Sequence, residues 1–150
     1  MKHEHAHNYK IIKIPGDSTE ADNEPKIQIL GGGHNPLEFI IKYHTGLLKG
    51  TKLVIGKITF TNVLEYRWIS DVVWYYPYGD DKNFTFGLVE IFKSKYIEDM
   101  ASKGKFRNYS DKRFGPTIDE INIRHFRLSF DEYGYFDIIA FRVDIEEIFD

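Results

Sequence analysis

The chain has 150 residues, a net charge of -3 and no cysteine. A domain of this size buries roughly 68–70% of its unfolded surface, so it can build a core without a metal or a disulfide. The missing cysteine excludes disulfides, thiol catalysis, thiolate zinc sites and iron–sulfur clusters, and the mildly acidic balance gives no general case for nucleic acid.

Residues 1–8, MKHEHAHN, read as a flexible polar segment preceding a single β-rich domain over 9–150. A first strand is predicted over 9–14, then a mobile loop through PGDSTEADNEP, where Pro, Gly, Asp and Asn gather. A second strand is predicted over 26–30, followed by Gly31, Gly32, Gly33 and His34-Asn35-Pro36 as a loop. Residues 37–43 read as a buried strand because Phe39, Ile40, Ile41 and Tyr43 favour extended backbone. A turn is predicted over 46–50. In the next run Leu53 and Ile55 share one parity and Ile58 and Phe60 the other. That calls either for a bulge near Gly56-Lys57 or for a central strand covered on both faces.

Residues 63–76 suggest two extended pieces meeting near Ser70-Asp71, with a turn over 77–83 and a further strand over 84–92. A helix is predicted over 95–102, with Ser94 as N-cap, Tyr96 and Met100 as an i,i+4 pair, and Gly104 as its stop. The stretch 105–122 has no stable periodicity and reads as a long loop. The clearest hairpin follows. Phe126, Leu128 and Phe130 alternate with His125, Arg127, Ser129 and Asp131, the turn is Asp131-Glu132-Tyr133-Gly134, and 135–143 returns as a central strand. A short helical turn at the end would dock Ile145, Ile148 and Phe149. Together these elements predict an α+β domain, mainly an antiparallel sheet or sandwich with one or two short helices.

Candidate chemistry is sparse. His3, His5 and His7 alternate, so an extended chain would set three imidazoles on one side, where Zn²⁺ or Ni²⁺ could be shared. No carboxylate or cysteine cluster supports a metal role, and no cofactor is expected. LGGGHNP lacks both the Walker and the dinucleotide spacing, although its glycines would let a ligand approach His34 closely. His34, His125 and Asp131 are the catalytic candidates, with His44, Asp71 and Asp80 as further acid–base groups. There is no GxSxG motif.

The charge is unevenly spread. Residues 102–116 hold Lys103, Lys105, Arg107, Lys112 and Arg113 against Asp111, whereas 131–150 hold seven acidic residues against Arg142. Lys103, Lys105, Arg107, Tyr109, Lys112 and Arg113, with Phe106 and Phe114, compose a nucleic-acid candidate in which cations meet phosphates and rings stack on bases. The competing reading is a loop anchored by its rings, and it is the favoured one. The chain also carries twelve Phe, ten Tyr and two Trp. Tyr75, Tyr76 and Tyr78, beside Asp80 and Asp81, are the candidate partner-binding residues, an aromatic centre with a polar rim.

ITFTNVLEYRWI (58–69), FTFGLVEIF (84–92) and HFRLSFDEYGYFDIIA (125–140) resemble elements of small bacterial β-rich immunity-like proteins associated with toxin systems. The resemblance covers about a quarter of the chain and implies a compact cytoplasmic inhibitor that acts by surface complementarity. It carries no active-site residues, and the basic 103–113 stretch departs from the acidic pattern expected of a nuclease inhibitor. The expected function is therefore protein binding, with a protein partner, no membrane association and cytoplasmic residence. No segment reaches the roughly 18 apolar residues of a membrane span, and 1–13 holds no apolar run of signal-peptide length. The alternative is a small-molecule-binding or hydrolytic enzyme with a pocket near GGGHNP.

Overall fold

A computed structural model describes residues 9–22, 24–33, 35–70, 86–104 and 122–150. Its elements are β1 (Tyr9–Ile12), β2 (Lys26–Gly32), β3 (Asn35–Lys49), β4 (Lys52–Thr61), β5 (Glu65–Ser70), β6 (Leu88–Ile91), α1 (Lys95–Ser102), β7 (Arg124–Phe130), β8 (Gly134–Ala140) and β9 (Arg142–Phe149). All strand pairs are antiparallel. They make a five-stranded sheet ordered β1-β6-β7-β8-β5 and a four-stranded sheet ordered β2-β3-β4-β9. The expected α+β class holds: the fold is mainly antiparallel sheet, with one short helix among the described residues.

The core lies between the sheets and follows from alternation. Phe126, Leu128 and Phe130 of β7 and Phe136, Ile138 and Ala140 of β8 meet Phe39, Ile41 and Tyr43 of β3 and Ile58 and Phe60 of β4. Phe39 packs edge-on to Phe136 at 5.3 Å and to Phe60 at 6.4 Å between ring centroids. Burying each such ring stabilises by about 1.5–3 kcal/mol. Tyr43 crosses the core on top of Gly56, where an added Cβ would sit 2.1 Å from the ring, and its hydroxyl donates to the Pro15 carbonyl at 2.7 Å. Burial, helped by the charge of Asp17, raises that phenol well above its ordinary range.

Several expectations change in the folded chain. The expected bulge at Gly56-Lys57 is absent: β4 pairs with β9 without a shift from Val54 to Thr61. The alternative of a central strand applies, since β3 and β9 flank β4 and both Ile55 and Ile58 are buried. The irregularity lies in β3 instead, between His44 and Leu48. There the Thr45 hydroxyl donates to the Val54 carbonyl at 2.8 Å and accepts from the Leu47 amide at 3.1 Å. Consequently β3 runs through Gly46, and Lys49 pairs with Lys52 around Gly50-Thr51.

The expected C-terminal helical turn is a strand. β9 alternates Val143 and Ile145, which pair opposite the core residues Phe60 and Ile58, with outward Asp144 and Glu146. The loop read as mobile is tied down: the Thr19 hydroxyl bonds the Ser129 carbonyl, and Asp22 accepts the amides of Glu24 and His44, each at 2.8 Å.

Candidate functional site

The two faces of β7 and β8 have different tasks. Their even-numbered apolar residues fill the core, which sends His125, Arg127, Tyr135, Asp137 and Ile139 to the opposite face of the five-stranded sheet. α1 covers part of that face, burying Met100 against Ile139, with Tyr96 and Ile97 packed beside them. The helix starts where the sequence predicts: the Ser94 hydroxyl accepts the Ile97 amide at 3.2 Å, satisfying one of the helix's orphan N–H groups.

Asp137 sits at the centre of this face and is fully buried. Its Oδ1 accepts from His125 Nε2 at 2.8 Å and Arg127 Nε at 2.7 Å. Its Oδ2 accepts from Arg127 Nη2 at 3.1 Å and from Arg67 Nε and Nη2 at 3.1 and 3.0 Å. Burial alone would raise this carboxyl, but hydrogen bonds from His125 and Arg127 and the charge of Arg127 outweigh it and hold it well below the carboxylate range. The Arg67 guanidinium lies 4.4 Å over the Tyr96 ring. Burial, then the neighbouring charge of Glu65, pushes the Tyr96 phenol up to about 12.

An ionised carboxylate only accepts, so His125 Nε2 carries a proton. In the neutral ring Nδ1 then accepts from the Ser94 hydroxyl, 2.7 Å away. The result is a Ser94–His125–Asp137 relay. Its ring nitrogens are exchanged relative to the serine-protease arrangement, in which Nε2 meets the serine. The same hydroxyl caps the helix, and Ser94 is only 7% exposed. Both features suit a network that fastens α1 to the sheet.

A second feature lies at one end of the four-stranded sheet. Leu48 pairs opposite Leu53, and Val54 opposite Phe149. Leu47, Leu48, Leu53 and Phe149 are each between 43% and 63% exposed. Lys49 lies 5.6 Å over the Phe149 ring, and three residues beyond Val54 along β4 Lys57 pairs with Glu146 at 3.6 Å. Paired residues share a face, so Leu48 and Leu53 lie on the outer side of this sheet end and Phe149, opposite Val54, on the other, leaving exposed apolar groups on both sides of it.

Of the catalytic candidates, His125 belongs to the buried network. Asp131 lies in the turn beyond β7, six residues or about 20 Å of extended chain from His125, and the two are not brought together. His34 lies outside the described residues. Its neighbours Gly33, Asn35 and Pro36 are exposed where β2 turns into β3. Tyr75, Tyr76, Tyr78, Asp80 and Asp81 also lie outside the described residues, as do His3, His5 and His7. Of the basic candidates only Lys103 is described, exposed at the C-cap of α1; Lys105, Arg107, Tyr109, Lys112 and Arg113 are not. Among the described residues no helix is long and apolar enough to cross a membrane, and no three His, Asp or Glu side chains are grouped to hold a metal ion.

Sequence reasoning did not single out Asp137, Arg67 or the exposed leucines Leu47, Leu48 and Leu53. A signal existed for Asp137, a lone acid inside a strand already read as central, with His125 and Arg127 on the facing parity. Leucines flanking Gly50 signalled the second surface. Comparison with protein-family models, with curated proteins and with solved structures gives no match.

Proposed function

We propose that the chain is a protein-binding domain whose contact surface centres on Leu47, Leu48, Leu53 and Phe149. The observation that carries this reading is the exposure of these four side chains on the two faces of one sheet end, where a partner that encloses the end would cover them. Burying them against a partner returns to that partner the apolar area that folding leaves in water. The immunity-like resemblance adds inhibition by surface complementarity, and the cysteine-free composition supports a reducing, cytoplasmic setting. Affinity capture from the native cell, followed by binding of purified components, tests it. Leu48→Asp and Leu53→Asp are each expected to weaken the captured complex at least about 10-fold with the fold intact. A specific complex of unchanged affinity would reject this surface.

A second reading, hydrolysis through a Ser94 nucleophile, is favoured by the Ser94–His125–Asp137 order alone. A fluorophosphonate reagent separates the two. The binding reading expects Ser94 to stay unlabelled in the native chain, since its hydroxyl is buried and engaged by the helix cap. Stoichiometric labelling that is lost in His125→Ala would favour the hydrolase.

A further inference from the structure

We infer that two copies of this chain associate through β2, edge to edge about a two-fold axis at Gln28. An edge strand presents unpaired backbone groups, and proteins blunt such edges with charges or short length. β1 has four residues, β5 has six of which Glu65 and Arg67 are charged, and β9 carries Arg142, Asp144, Glu146 and Glu147. β2 has seven residues, KIQILGG, and one charge, Lys26. It is the least protected long edge among the described strands.

Side-chain parity points the same way. Ile27 and Ile29 pair opposite Ile41 and Phe39 and so share their core-facing side. Ile41 and Phe39 are buried, yet Ile27 and Ile29 are 38% and 42% exposed. The core layer therefore stops one strand short of the sheet edge. Another strand with apolar side chains on the same face would extend it.

A second copy supplies that strand. Antiparallel pairing centred on Gln28 sets Ile27 of each copy opposite Ile29 of the other, and Lys26 opposite Leu30. Charge favours this register. Within one copy Lys26 faces Lys42 directly, a like-charge pair that costs stability. Leu30 pairs opposite Glu38 on that same outer side. The junction thus brings Lys26 of one copy into the cross-strand row of Glu38 of the other, two strand spacings or about 9–10 Å away and within reach of a lysine side chain. The interface is isologous and closes at two copies, joining the four-stranded sheets into one of eight strands.

The full chain carries its own test because it contains no cysteine. Gln28→Cys places two thiols across the axis, with Cβ atoms about 4.5–5.5 Å apart, near disulfide reach. Mild oxidation is expected to link Gln28→Cys chains in pairs and to leave Asp144→Cys chains, altered on the opposite edge, unlinked. Sedimentation is expected to show a dimer that the double variant Ile27→Lys/Ile29→Lys converts to a monomer with an unchanged circular dichroism spectrum. A monomer at every concentration overturns the inference. So does a dimer that survives the double variant without Gln28→Cys cross-linking, or growth beyond two copies, which would indicate β2 pairing with β9 in an open chain.

Discussion

Asp137→Ala is expected to lower the stability of the fold by about 3–5 kcal/mol, the usual cost of removing one member of a buried ion pair. The loss comes less from the missing attraction than from what stays behind. Arg127 keeps its charge in a site almost closed to water, and His125 loses the acceptor that orients its ring. Acid titration reads the same group. The folded carboxyl titrates well below the ordinary range, whereas in the unfolded chain an aspartate titrates near 3.9. Its contribution is thus complete above the unfolded value and shrinks as pH falls below about 4 toward the folded one, because the unfolded chain takes up the proton first. Urea midpoints measured from pH 7 to pH 2 should show this acid limb in the wild type and its absence in Asp137→Asn. Parallel profiles for the two proteins would contradict the assignment.

Gly134→Ala should be comparably damaging although it adds one methyl group. Gly134 has φ +127°, a conformation in which side chains are strained, and an added Cβ would lie 2.1 Å from the Ile69 carbonyl oxygen and 3.0 Å from Trp68 Nε1. The carbonyl cannot simply withdraw, because Ile69 and Ser70 are held opposite Tyr135 and Gly134 in the β5–β8 ladder. Backbone strain of about 1–3 kcal/mol adds to overpacking of about 1–3 kcal/mol. For a chain of about 150 residues each kcal/mol lowers Tm by about 2–4 °C, so thermal unfolding resolves the effect. Hydrogen exchange should show β5 amides losing protection before those of β3 and β4. A wild-type melting curve would show that the turn relaxes freely and that the close approach does not constrain it.

Elements whose local pattern and tertiary demand agree were legible in the sequence. Phe126, Leu128 and Phe130 alternate without exception, and Gly134 ends their hairpin as its position suggests. Ser94 and Gly104 bracket the helix by capping chemistry alone. The end of the chain was not legible in that way. Ile145, Ile148 and Phe149 stand at i, i+3 and i+4, which fits a helical face, while Val143 and Ile145 fit a strand. The open edge of β4 decides between them. Nor could Gly56 reveal its purpose, since the Tyr43 ring that needs its bare backbone comes from another strand. The buried network was half visible. His125 and Arg127 could be placed on one face of β7, but Arg67 reaches Asp137 only once β5 has paired with β8.

The passage from β8 to β9 takes one residue. β8 ends at Ala140 in the five-stranded sheet and β9 begins at Arg142 in the four-stranded one, with the Phe141 amide donating to the Thr61 carbonyl at 3.2 Å. Residues 134–149 are thus a single extended run woven into both layers. Neither layer can be peeled away while the other keeps its full ladder, so the two lack separate opening transitions. Amides along β8, and those of the first half of β9 that point toward β4, should exchange only through global unfolding, with one shared opening free energy across both sheets.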